Sequence, residues 1–339
     1  MTHAATFVYV SISGENTIQV YQQNPADGAL TLAHKVEVGG APGSLAIGPS
    51  KRHLYAAVRS KGNVATLAID PATGNLKQIG TTAVVADPVY IYTDRAERFL
   101  LTSYYGAGSA AIYPLGKDGI VVGDATSIVT TDKNPHSIMI DPSNQFVYVP
   151  NTGADKVLQY RFDAMTGKLA ANTPAEVLTG PGTGPRHFWF HPTLPIVYFV
   201  NEKGSSVTVC DWNRTTGTLA VKQTIPTLPA GSTTKNSCAH IETTPSGKYL
   251  YASNRGHDSL AMYTIDPSTG ELKSLGQEPT EATPRAFTID PAGSYVYSAG
   301  QGSGKLAAYK LDAATGKLAR FATYEVGKSP AWVLAVKFD

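Results

Sequence analysis

The sequence predicts an all-β fold, a seven-bladed β-propeller with four antiparallel strands per blade, its ring closed by the C-terminal strand completing the first blade. Three observations predict it. One turn phrase recurs seven times, a strand phrase runs in step with it, and the first unit lacks a strand that the C-terminus can supply.

The turn phrase is Asp-x-x-Thr-Gly-x-Leu. It reads DPATGNL ending at Leu76, DAMTGKL at Leu169, DPSTGEL at Leu272 and DAATGKL at Leu318. Looser copies are NPADGAL ending at Leu30, KDGIV around Ile120 and NRTTGTL at Leu219, so the copies are spaced 44 to 53 residues apart. The strand phrase is a proline, a second proline seven positions on, and then a β-rich stretch ending in Tyr. NPHSIMIDPSNQFVYVPN, GPRHFWFHPTLPIVYFVN and TPRAFTIDPAGSYVYSAG are examples. Its anchor falls at Tyr9, Tyr55, Leu100, Tyr148, Tyr198, Tyr251 and Tyr297.

Each unit holds four β-like stretches. In the fourth they are HSIMID, FVYVPN, KVLQYRFD and a strand near Glu176–Leu178. Asp-Pro-x-x, Asn-x-Gly and Thr-Gly turns separate them, supplying the fixed and positive φ values that tight hairpins need. No amphipathic helix of useful length interrupts the pattern. In the first unit Thr6–Ser11 already reads as a second strand, while SPAWVLAVKF near the C-terminus is an extra first-strand phrase. Ala331–Phe338 is therefore expected to complete the first blade, making residues 1–339 a single domain and removing exposed sheet edges.

Composition narrows the function. The 339 residues are 42% hydrophobic and carry a net charge of only +2, with the charges scattered. That argues against a nucleic-acid or membrane partner. No apolar run is long enough to span a membrane, and MTHAATFVYV has no features of a signal peptide. With Cys210 and Cys238 read as free thiols, a cytoplasmic location is expected. The histidines show no HxH or HExxH spacing, so neither a metal nor another cofactor is expected. A closed ring needs no partner copy, so a monomer is expected.

In a blade that meanders outward, the start of the first strand and the end of the second emerge on one face, beside the central channel. The first set reads Gly43, Pro88, His136, Arg186, Ala239, Arg285 and Ala331. The second reads Ser13, Arg59, Tyr104, Thr152, Glu202, Arg255 and Gln301. Positions that only pack should repeat as apolar, yet these carry four arginines, a histidine and a glutamate. Singly, each is an ordinary strand-end histidine or a solvated surface charge. Together they form a positive mouth with one carboxylate and one imidazole, suited to an anionic substrate and acid–base chemistry. The connections Thr173–Pro185 and Pro226–Asn236 are expected to border the same face, as lids or as passive loops.

NPHSIMIDP, GPRHFWFHP, NEKGSS and YLYASNRGHDSLAMY resemble the motifs of the lactonase seven-bladed propellers. That family includes the bacterial propeller-type 6-phosphogluconolactonases and the fungal carboxy-muconate cyclising enzymes, and the resemblance spans the chain. It implies a catalytic group of His136, Arg186, Glu202 and Arg255, the residues that the rim positions also select. The expected substrate-binding set is Arg285, Arg59, His187, Asn201, Tyr104 and Gln301. The chain departs from the family at one place: an acidic residue, Ile and His are usual there, whereas this chain has His240, Ile241 and Glu242. No role is carried over to those two exchanged positions.

The expected partner is a small anionic lactone or diacid. In lactone hydrolysis His136 is the general base, with Glu202 as its orienting partner or the alternative base. Arg186 and Arg255 hold the anion and the developing oxyanion, and Arg285 or Arg59 binds a distal phosphate or carboxylate. The same residues suit the reverse chemistry, a muconate-type lactonising cycloisomerase. A third alternative is a non-catalytic interaction scaffold, which would more often show an exposed apolar patch.

Overall fold

The two repeating phrases run in step because they meet at the seams between blades. Tyr9 donates its hydroxyl hydrogen bond to the Gly74 carbonyl of the next unit's Thr-Gly turn at 3.1 Å. Tyr55 does the same to Gly119, Tyr148 to Gly217, Tyr198 to Gly270, Tyr251 to Gly316 and Tyr297 to Gly28. The turn must be glycine on two counts. Gly217 has φ +68°, and a Cβ there would lie 2.1 Å from the Phe146 ring. Blade 3 alone has no tyrosine to offer, and Thr126 bonds the Gly167 carbonyl instead.

The computed structural model describes residues 4–338. It is an all-β ring of seven four-stranded antiparallel sheets. Blade 1 takes its inner strand from the C-terminus: Pro330–Phe338 pairs with Ala5–Ile12, followed outward by Thr17–Gln23 and Leu30–Glu37. Blades 2 and 3 begin at the channel with Pro42–Ile47 and Tyr90–Thr93. Blades 4 to 7 begin with Met139–Ile140, Pro185–Phe190, Ser237–Thr243 and Pro284–Ile289. The helical elements among the described residues are two single 3₁₀ turns, Ser13–Glu15 and Arg59–Lys61.

The core lies between blade faces, where buried Tyr, Phe, Val and Leu of adjacent sheets interdigitate. Asp-Pro turns brace the inner hairpins. Asp141 Oδ1 accepts the backbone N–H groups of Gln145 and Phe146, and Asp290 Oδ1 those of Ser294 and Tyr295.

Two local expectations change. The fourth strand of blade 4 spans Lys168–Leu178 rather than only its far end, so the connection to blade 5 shrinks to residues 179–184. HSIMID pairs as a strand only over Met139–Ile140. His136 instead hangs on a backbone bond from its own N–H to the Pro150 carbonyl at 3.0 Å.

Candidate active site

β-Bulges build the site. Where the inner strands of blades 5 and 7 start, the ladder skips one residue. Pro185 pairs with Asn201 and His187 with Val200, leaving Arg186 as the extra residue. Pro284 pairs with Gly300 and Ala286 with Ala299, leaving Arg285. A bulge bends its strand and re-aims the extra side chain. Here it turns two arginines into the channel mouth, where they line a hollow of about 160 Å³ with His136, His187, Arg59 and Gln301.

Arg186 is 1% exposed. Its Nε lies 2.8 Å from Glu202 Oε2, and its Nη1 donates to the Ala239 carbonyl. Arg255 reaches the same carboxylate from blade 6, with Nη2 3.3 Å from Glu202 Oε1 and 2.9 Å from the Cys238 carbonyl. Glu202 thus joins two guanidinium groups from different blades. Arg59 pairs with Asp87 at 2.9 Å. Arg285 has no carboxylate within ion-pair distance among the described residues. Burial, with Arg255 and Arg59 nearby, pushes its pKa down to about 10.

The imidazoles are neutral by environment. Burial holds His136 well below the usual histidine range, and Arg186 and Arg285 add to the effect. Burial, then Arg186, does the same to His187. His136 packs edge-to-face between Tyr105 and His187, and its buried Nδ1 has no hydrogen-bond partner. A neutral imidazole keeps a lone pair for a proton, and the surrounding guanidinium groups favour any anion brought to them.

The family described as "Lactonase, 7-bladed beta-propeller" matches residues 8–335. The chain belongs to this lactonase family. A 6-phosphogluconolactonase of Pectobacterium carotovorum is 37% identical over 98% of this chain and 99% of its own length. One of Cronobacter sakazakii is 35% identical over 98% of each. Among solved structures, a periplasmic gluconolactonase of Pseudomonas aeruginosa superposes with a TM-score of 0.91 at 27% identity, covering 99% of this chain and all (100%) of that one. A putative 6-phosphogluconolactonase of Bacteroides fragilis gives 0.89 at 25% identity, covering 98% of each chain. Lactone hydrolysis is the activity these relatives support.

Within this lactonase, the structure brings His136, Arg186, His187, Arg285, Arg59 and Gln301 to one hollow, with Glu202 at its edge bridging Arg186 and Arg255. Glu202 engages the two arginines, not His136. Two residues of the expected set lie elsewhere. Asn201 is fully buried inside blade 5, donating to Ser206 and Thr208. Tyr104 is buried between blades 2 and 3, bonded to Thr102 and Tyr113.

The reason for Tyr104 is a one-residue slip in blade 3. Tyr92 pairs with Leu101 just as Met139 pairs with Tyr148 in blade 4, so the anchor is Leu101 and not Leu100. Successive strand residues face opposite ways. The mouth positions of blade 3 are consequently Val89 and Tyr105 rather than Pro88 and Tyr104. The Asp-to-aromatic spacing carries the correct register: Asp94 to Phe99 matches Asp141 to Phe146.

Proposed function

We propose that this lactonase hydrolyses an anionic sugar lactone, with a terminal phosphate as the preferred anion. The observation that carries the reading is Arg285: a guanidinium lining the hollow with no carboxylate within ion-pair distance among the described residues, near Arg59, Arg255 and Glu202. Arg suits bidentate recognition of phosphate or carboxylate. The relatives named 6-phosphogluconolactonase support the phosphate. Arg186 and Arg255 hold the lactone carbonyl oxygen and stabilise its developing charge. Such preorganised donors contribute about 3–4 kcal/mol each. Neutral His136 takes the proton of the attacking water and returns it to the alkoxide as the ring opens. None of these steps calls for a metal. The enzyme works as a monomer in the cytoplasm.

A panel of phosphorylated, uronic and plain sugar lactones, read by proton release, tests this. The phosphorylated lactone is expected to give the highest kcat/KM. Ultraviolet loss on a conjugated diacid, with no lactone hydrolysed, would replace hydrolysis by cyclisation. No turnover of either class would leave the ring a binding scaffold.

A further inference from the structure

A septum of rings lies between two hollows of the propeller, with Trp332 lining both. Tyr90 lies 5.1 Å from His187 and 5.4 Å from Trp332, centroid to centroid, and Trp332 lies 5.1 Å from His240. On one side is the arginine mouth. On the other is a cavity of about 410 Å³ whose lining includes His240, Glu242 and Tyr92. One polar file crosses this septum. His187 Nδ1 is 2.9 Å from His240 Nδ1, and His240 Nε2 is 3.1 Å from Glu242 Oε1. Glu242 Oε2 is held by the Ile289 N–H at 2.9 Å.

With both imidazoles neutral and Glu242 ionised, the contacts between these three side chains set one order of donors and acceptors. A carboxylate only accepts, so the His240 proton sits on Nε2. His240 Nδ1 then accepts, which places the His187 proton on Nδ1. His187 Nε2 is left with a lone pair; Arg186 Nη1 stands over this ring, 3.2 Å from Nε2 and 3.4 Å from Nδ1. If Glu242 is protonated, every proton in the file shifts by one place. The file thus has two ordered states that differ by one proton.

We propose that His187, His240 and Glu242 form a proton relay that removes the proton of the newly formed acid from the arginine mouth and holds it on Glu242. The relay rests on the hydrolytic reading above. After ring opening, the product is a carboxylic acid among guanidinium groups. Its O–H bond breaks and an N–H bond forms at His187 Nε2. His187 Nδ1 passes its proton to His240 Nδ1, and His240 Nε2 passes its proton to Glu242 Oε1. When the product leaves, the hops reverse and water at the mouth takes the proton.

The physical reason is charge placement. An imidazolium at His187 would face Arg186 and Arg285 at the mouth, beside His136 and the Tyr90 ring. The relay creates no cation there. It places the proton on a carboxylate across the septum, away from the arginine mouth. In this chain the order of the two residues pairs His240 with Glu242 and sets the histidine next to His187.

The test begins without substrate. Long-range ¹H–¹⁵N spectra of the full chain labelled in histidine are expected to show His187 protonated at Nδ1 and His240 at Nε2 near neutral pH. The reverse tautomers would overturn the relay. On a lactone that the protein hydrolyses, Glu242→Gln is expected to lower kcat at least about tenfold with KM nearly unchanged. Glu242→Asp should recover part of the loss, and the solvent deuterium effect on kcat should rise in the Gln variant. A folded Glu242→Gln protein with wild-type kcat would also end the proposal. If no lactone is hydrolysed at all, the hydrolytic reading falls, and the tautomer spectrum alone decides the proton file.

Discussion

The seams between blades and the channel mouth are built from the same strands under opposite rules. At the seams one contact repeats: a tyrosine hydroxyl on a glycine carbonyl, six times around seven junctions. At the mouth equivalent positions differ from blade to blade. They are Arg186 and Glu202 in blade 5, Arg255 in blade 6 and Arg285 in blade 7, but Ala331 and Ser13 in blade 1. Repetition marks what the ring needs to close. Its absence marks what one substrate needs to bind. The seam tolerates a missing tyrosine in blade 3 because Thr126 bonds the Gly167 carbonyl in its place.

Ring closure tests the seam side most severely. Deleting residues 330–339 removes the inner strand of blade 1 and exposes the edge of Ala5–Ile12. Loss of cooperative thermal unfolding by circular dichroism is expected; an intact, cooperative transition would show that the ring does not need its clasp. At the mouth, Arg255→Ala and His136→Ala are each expected to lower kcat/KM about 10²–10³-fold while Tm stays near wild type. A collapse of Tm would move those residues to the structural side of the comparison.

Arg285→Ala sharpens the mouth further. It should raise KM for a phosphorylated lactone about 10–100-fold, the worth of a charge-assisted hydrogen bond, with little change for a plain lactone. Equal losses on both would mean that Arg285 does not read the distal anion.

The pH profile follows from the same environment. A base works in its neutral form, and burial beside arginines lowers the His136 and His187 pKa values. The acid limb of kcat/KM should therefore lie below pH ~6.5, the free-histidine value. On the alkaline side KM should climb as pH nears about 10, where Arg285 loses its charge. An acid limb at or above the free-histidine value would contradict the burial of the base. Stability shares the sign. His136 and His187 have folded pKa values below their unfolded ones, so their contribution is complete above pH ~6.5 and is lost as pH falls through the lowered values.

The smallest effect belongs to a single seam. Tyr148→Phe leaves the Gly217 carbonyl without its partner and should cost about 1–3 kcal/mol of stability with unchanged kinetics. A kinetic defect would join seam and mouth after all.

The blade count, the clasp and most of the mouth were legible in the sequence because they depend on periods. Thr-Gly-x-Leu and the tyrosine anchor recur at blade spacing, and alternation within a strand tells which residue ends on which face. Where the period was imperfect the reading slipped: Leu100 stood in for Leu101, and Tyr104 for Tyr105. Asn201 sits beside Glu202 in sequence, yet its side chain is spent inside the blade.

The amino-acid sequence by itself determined the ring, its closure and which blades carry charge. Tertiary structure alone decided that Glu202 binds two arginines rather than His136, that bulges aim Arg186 and Arg285 into the hollow, and that His187, His240 and Glu242 stand in one file. These are distances between separate strands, fixed by how the closed ring sets blades side by side and by where a ladder skips a residue. Neither is a property of local propensity or of period.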